Sequence, residues 1–336
     1  MTAPSRRRTL AAAAMLLACL AAPCRAQPPS PSVAGTLVLY TSQPEPDAQA
    51  TTEAFRRLHP GVQVDWVRGG TNQLIPRLRA EFAAGQPRPD VLLIADALTM
   101  ESLKAERRLQ AWPEAPLAGT NPDFHDPQKF YFGTKLITTG IARNTRAPQQ
   151  IAAWRDLLAP GLRGQTAMPS PAVSGAAAIH VLAIAQNPAL GWAYWEALSK
   201  HGLTPRGGNG QVMQAVAGGE KPYGMIVDFL PIRERARGAP VEFVFPAEGV
   251  TPITEPVAIL STARNLPAAR AFVAFLLSRQ GQELASSMGY LPADPSVAPP
   301  AGFPDPRTIR VMKFDPARAL AEQDATLKRF SELFGG

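Results

Sequence analysis

The chain has 336 residues, 34 Lys and Arg against 27 Asp and Glu, and a formal net charge of +7. Four of the basic residues, Arg6, Arg7, Arg8 and Arg25, lie in the first 26 positions; without them 30 basic residues face 27 acidic ones, a balance of +3 that gives no ground for a nucleic-acid footprint. Both cysteines, Cys19 and Cys24, lie in that same stretch, so the remainder has no thiol, no disulfide and no cysteine metal ligand, and no cofactor is expected.

The first 26 residues have the form of an export signal. Arg6 to Arg8 supply a positive start, Leu10 to Leu20 an apolar stretch too short to anchor stably in a bilayer, and Cys24-Arg25-Ala26 small residues at −3 and −1 of a cut after Ala26. The chain is therefore expected to be periplasmic, beginning near Gln27. "SRRRTL" also fits a twin-arginine signal, and Pro23 stands where a small residue would precede a lipidated Cys24.

The remaining residues exceed one ordinary core, which predicts two lobes. In chain order, the apolar run Leu37 to Tyr40 predicts a strand, and Ala48, Thr52, Phe55 and Leu58 recur at helical spacing until Pro60-Gly61. Val62, Val64 and Trp66 alternate with polar residues as in a strand, Leu74, Leu78 and Phe82 mark a helix, and "VLLIA" at 91–95 a buried strand. A second set follows: a short strand at 165–168, helices at 175–186 and 191–200, and the strands "YGMIVDF" and "VEFVF". "EPVAILSTA" and the helical run from Leu266 to Ala285 return the chain to the first lobe. The expected class is α/β, each lobe a mostly parallel sheet flanked by helices, with two crossing strands as hinge near 131–142 and 252–262. The lobes are placed approximately at 35–135 with 257–336, and at 136–256.

The segments "LYTSQPEPDAQATTEAF", "GGTNQLIPRLRAEFAAGQPRPDVLLIAD", "VEFVFPAEGV" and "AFVAFLLSRQGQELASSMGYLP" resemble type 2 periplasmic solute-binding proteins of ABC importers, in their ferric-iron and organophosphonate branch. The resemblance covers nearly all of the chain beyond the export segment. It implies the type 2 periplasmic binding fold, a small-molecule ligand, the transmembrane subunits of an ABC permease as partner, and a monomer. These segments encode scaffold more than pocket, so the ligand has to be sought in the loops.

Ligands of open α/β lobes sit beyond the carboxyl ends of the strands. Ser42 and Gln43 follow the first strand, and Gly70-Thr71 follows the second, where glycine lets backbone approach a ligand. Ser174-Gly175 opens an apolar helix whose first amides suit phosphate or phosphonate oxygens, and Asn209 stands between glycines before "QVMQAV". Three carboxylates, Asp96, Asp228 and Glu255, end or precede strands, where they suit a ligand ammonium. Each polar residue here also has an ordinary reading as a helix cap, turn or loop residue. 2-Aminoethylphosphonate is the favoured ligand on this reading, with its phosphonate on Ser42, Thr71 and Ser174 and its amine on Asp228, Glu255 or Asp96.

The ferric alternative meets an obstacle. Ferric-binding relatives typically use adjacent tyrosines, but Tyr40, Tyr131, Tyr194, Tyr223 and Tyr290 are never adjacent, and Asp228 is followed by Phe229. No metal ligands are assigned, although ferric iron held by carboxylates or bound as a chelate remains the alternative. An exported enzyme is the second alternative, but His59, His125, His180 and His201 lack metal-ligand spacing and no nucleophile elbow, phosphate-binding loop or paired-histidine zinc motif occurs, so no catalytic residue is expected. Trp192 and Trp195 have helical spacing and are expected in the core.

Overall fold

The computed structural model describes residues 33–335; the expected export segment and its cut after Ala26 lie outside them. The chain runs through β1 (Gly35–Thr41), α1 (Glu45–Leu58), β2 (Val62–Arg68), α2 (Thr71–Ala83), β3 (Val91–Leu93), α3 (Ala97–Ala105) and the short β4 (Leu109–Gln110). Strands β2, β1 and β3 pair in parallel in that order. Side chains alternate across them. Leu37, Leu39, Val91 and Leu93 face Phe55 of α1, while Tyr40, Leu92 and Ile94 face Leu74 and Leu78 of α2 and Met100 of α3, so one sheet is covered on both sides.

β5 (Tyr131–Asn144) carries the chain into a second lobe of β6 (Thr166–Met168), α4 (Gly175–Gln186), α5 (Gly191–Lys200), β7 (Thr204–Pro205), α6 (Asn209–Ala217), β8 (Tyr223–Val227), α7 (Phe229–Ala236) and β9 (Val241–Val244). β10 (Thr251–Leu260) leads back to α8 (Leu266–Leu277), α9 (Arg279–Ser287) and β11 (Leu291–Pro292), and α10 (Pro316–Phe334) follows. The sheet runs through both lobes in the order β2-β1-β3-β10-β5-β8-β6-β7. β5 and β10 are antiparallel from Thr139 opposite Thr251 to Tyr131 opposite Ala258, with a bulge between Thr254 and Pro256 that displaces Glu255. They are the two crossing strands expected from the sequence. The lobe boundaries drawn at 135/136 and 256/257 fall inside them.

Two features differ from the sequence reading. The helical run from Leu266 to Ala285 breaks at Ser278, whose extended backbone and Oγ, accepting from the Gly281 N–H at 3.2 Å, cap a new helix. Helix α10 packs on both lobes: its C-terminal half lies on the second, where Phe330 meets Trp195 edge to face at 5.0 Å and Leu327 and Leu333 join the same cluster, while Ala319 nearer its start shares a cluster with Leu98 of α3. Trp195 is core as expected, whereas Trp192 is half-buried under the Arg329 guanidinium at 4.0 Å. His59 and His201 are the C-caps of α1 and α5.

Candidate functional site

A cavity of about 500 Å³ lies between the lobes, beyond the carboxyl ends of β1, β2 and β3. Three helices, α2, α4 and α6, begin at its wall, because each follows a strand and a short turn. The first amides of a helix have no intrahelical acceptor, and the helix dipole adds positive potential there. Gly175 and Ala176 of α4, Thr71 of α2, and Asn209 and Gly210 of α6 present such amides to one space. That arrangement suits an oxyanion.

Seven of the ten sequence-predicted residues line this cavity: Ser42, Gly70, Thr71, Ser174, Gly175, Asn209 and Glu255. Some of their polar atoms are already engaged. Ser42 Oγ accepts from the Ala95 N–H at 3.0 Å. Ser174 Oγ caps α4, accepting from the Ala177 N–H at 3.2 Å, and also accepts from Asn209 Nδ2 at 3.0 Å, so the starts of α4 and α6 are tied together. Asn209 Oδ1 accepts from the Val227 N–H at 3.4 Å.

The carboxylates are a correction. Asp96 is 1% exposed and does not line the cavity; it caps α3, accepting from the N–H groups of Leu98 at 2.9 Å and Thr99 at 3.2 Å and from the Thr99 hydroxyl. Asp228 is equally buried and accepts from the Thr138 N–H at 2.8 Å, the Thr138 hydroxyl at 2.7 Å and the Phe229 N–H at 2.7 Å. Burial pushes its carboxyl up to about 7 against those bonds, and pushes Asp96 up as well. Glu255 does reach the cavity, but Lys135 Nζ lies 2.5 Å from it and Gln43 Nε2 donates to it at 3.4 Å; burial raises its carboxyl and Lys135 opposes the rise. None of the three is a free partner for an ammonium. Gln43 is buried behind Glu255 and away from the cavity surface.

Residues the sequence reading passed over complete the wall. Arg68, the last residue of β2, lines the cavity and is exposed; its Nε donates to the Gln43 carbonyl at 3.0 Å, and among the described residues no carboxylate pairs with it. Its position at a strand end was the available signal. Gln73 and Gln211, in the first turns of α2 and α6, add amides that accept and donate. Phe229 and Tyr290, their ring centroids 4.3 Å apart and their planes tilted by 41°, form the apolar floor. Tyr290 donates to Asp47, which Arg233 grips through both terminal nitrogens at 2.9 and 3.0 Å. Burial and the Asp47 charge hold the Tyr290 phenol well above its usual range, so it stays protonated. Among the described residues no group of three or more His, Cys, Asp or Glu is placed to hold a metal ion.

Comparison with known proteins gives a consistent frame. A sequence profile described as bacterial extracellular solute-binding protein matches residues 36–291. An uncharacterised protein of Haemophilus influenzae is 26% identical over 314 residues, covering 85% of this chain and 86% of that protein. The periplasmic binding protein AfuA of Actinobacillus pleuropneumoniae, solved with exogenous fructose-6-phosphate bound, superposes with a TM-score of 0.82 at 23% identity, over 89% of this chain and 98% of that one. Iron-bound HitA of Pseudomonas aeruginosa superposes at 0.76 with 22% identity, over 89% and 99%. At these identities the two structures share the type 2 periplasmic binding fold with this chain, and their ligands differ.

Proposed function

This chain belongs to the bacterial extracellular solute-binding proteins, the substrate-binding components of ABC transporters rather than enzymes, and from that premise we propose that its cleft captures a small phosphorylated solute bearing hydroxyl groups, such as a sugar phosphate. The observation that carries this reading is the convergence of three helix N-termini and the Arg68 guanidinium on one cavity. The phosphate would sit on the amides of Gly175, Ala176 and Thr71 near Arg68. Gln73, Gln211 and Glu255 would meet hydroxyl groups, and the Phe229 and Tyr290 rings would cover the carbon skeleton. The likeness to a fold solved with fructose-6-phosphate supports the same chemistry.

2-Aminoethylphosphonate, the amine-bearing ligand favoured from the sequence, has its phosphonate accommodated in this way but finds no free carboxylate for its ammonium, since Asp96 and Asp228 are caps and Glu255 is paired with Lys135. A second reading, a ferric chelate, is favoured by the likeness to iron-bound HitA. With no metal-holding cluster among the described residues and a protonated Tyr290, the iron would arrive with its own anionic oxygens, and those would use the same amides.

Calorimetry and thermal shift with fructose-6-phosphate, glucose-6-phosphate, inorganic phosphate, 2-aminoethylphosphonate and ferric citrate test the proposal. A sugar phosphate should bind most tightly, and Arg68→Ala should weaken it by about 1.5 to 3 kcal/mol through lost hydrogen bonds to a charged group. Heat from ferric citrate alone would transfer the assignment to the second reading. Silence with every phosphorus compound and with ferric citrate would sink both.

A further inference from the structure

Asn72 does not line the cavity, yet both its side chain and its backbone cross from the first lobe to the second. Its Nδ2 donates to the Pro171 carbonyl at 2.6 Å, and its N–H donates to the Val173 carbonyl at 3.3 Å. The approach depends on residue 70 having no side chain, because a Cβ there would lie 2.2 Å from the Val173 oxygen, a backbone atom. Gly70 has φ −60° and ψ 148°, which any residue adopts, so its need for glycine is one of space alone. Gly175 repeats the device from the other side: a Cβ on it would lie 2.9 Å from Thr71 Cβ and 3.0 Å from the Ala95 oxygen. Backbone thus meets backbone at two points beside the cavity.

We propose that Asn72, with Gly70 and Gly175, is a clasp that fastens the lobes directly to one another, so that the ligand-free protein populates the closed form and Asn72 sets ligand affinity without touching the ligand. The clasp bonds join protein to protein and are available whether or not the cavity is filled. Any bond present only in the closed form shifts the open–closed equilibrium toward closure, and apparent affinity scales with the closed fraction. This inference goes beyond the ligand assignment and can fail or hold independently of it.

The chain beyond the export segment has no cysteine, so two introduced thiols give a unique label pair. Ala80→Cys and Gln214→Cys place spin labels on exposed positions of α2 and α6, one on each lobe. Pulsed dipolar spectroscopy is then run on protein refolded from denaturant to strip carried ligand. The expected result is one dominant short distance in the otherwise unaltered, ligand-free protein. In Asn72→Ala and in Asn72→Asp, which keeps the size but loses the donor to Pro171, that distance should lengthen by more than about 2 Å, the scale of a hinge rearrangement. Gly70→Ala should open it further. Melting curves verify that each variant is folded; should Gly70→Ala not fold, the Asn72 pair decides. A ligand-free distance that is already long, or one that Asn72→Ala leaves unchanged, overturns the clasp.

Discussion

At the scale of single residues, the same letter at the same kind of position has two fates, decided by what lies across the fold. Asp96 and Asp228 follow strands and Glu255 sits in the bulge within β10, and nothing in the neighbouring sequence separates their roles. Thr138, on β5 and ninety positions away in sequence, is what consumes Asp228, and Lys135 is what neutralises Glu255. Those partners could not be read from the sequence, whereas Ser174, Gly175 and Thr71 could, because a polar or glycine residue directly before a helical run is a local signal. Asp228 gives a measurable consequence. Its folded carboxyl is held at about 7, above the unfolded value near 3.9, so between those values the folded chain keeps a proton that the unfolded chain releases. The contribution of this group to stability is therefore full below about pH 4 and falls as pH rises toward 7, by a few kcal/mol at about 1.4 kcal/mol per pH unit crossed. Asp228→Asn keeps an uncharged side chain at every pH and loses the acceptor for one of two backbone N–H groups. We expect it to be less stable than the parent at pH 5, with the deficit shrinking at pH 8 in urea titrations. A deficit that stays constant from pH 5 to 8 would show that Asp228 does not titrate in this window.

At the scale of elements, helices with an amphipathic stripe and strands with clear alternation were legible, and the elements that make this a two-lobed protein were the hardest. β5 reads "YFGTKLITTGIARN", with glycines and threonines and no alternation, yet all but one of its fourteen residues are buried. A strand covered on both faces has no polar side to produce a period-two signal. The hinge was expected from the need to leave and re-enter the first lobe, not from the strand's own pattern. Helix α10 shows the complementary limit: its stripe announces a helix but not which lobe receives it. Phe330 answers that for the C-terminal half, lying 3% exposed against Trp195, while Ala319 shares a cluster with Leu98 of the first lobe. Truncating it removes ring contacts from a cluster belonging to the second lobe only, so Phe330→Ala should destabilise the protein by about 3 to 5 kcal/mol while leaving ligand affinity at the cleft unchanged in the folded fraction. Denaturant unfolding with calorimetry on the same variant separates the two effects; a variant of parental stability would remove α10 from the second lobe's core.

At the scale of the whole molecule, two lobes covered on their own faces are joined through β5 and β10; α3 also packs on α10, with Leu98 and Ala319 in one buried cluster, and two further sets of contacts border the cleft. Tyr290, Phe229 and the Asp47–Arg233 pair lie at the base of the cleft, where β11 runs beside β5 at Leu136 and Lys135. Asn72, Gly70 and Gly175 meet their partners where the two lobes' helices begin. Rotation about the two strands moves points beside the strands little and points at the helix starts more, so a ligand gripped by amides of both lobes acts on the contacts that rotation changes most. Binding energy then appears as rigid-body closure rather than as refolding of either lobe. Small-angle scattering should accordingly detect little further compaction of the unaltered protein on adding a confirmed ligand. In Asn72→Ala, where the direct fastening is gone, it should detect a clear decrease in radius of gyration as the ligand alone draws the lobes together. The decrease should saturate at the stoichiometry found by calorimetry, since closure and occupancy are one equilibrium. Unchanged dimensions in the Asn72 variant at saturating ligand would mean that the strands do not act as a hinge and that the cavity fills without lobe motion.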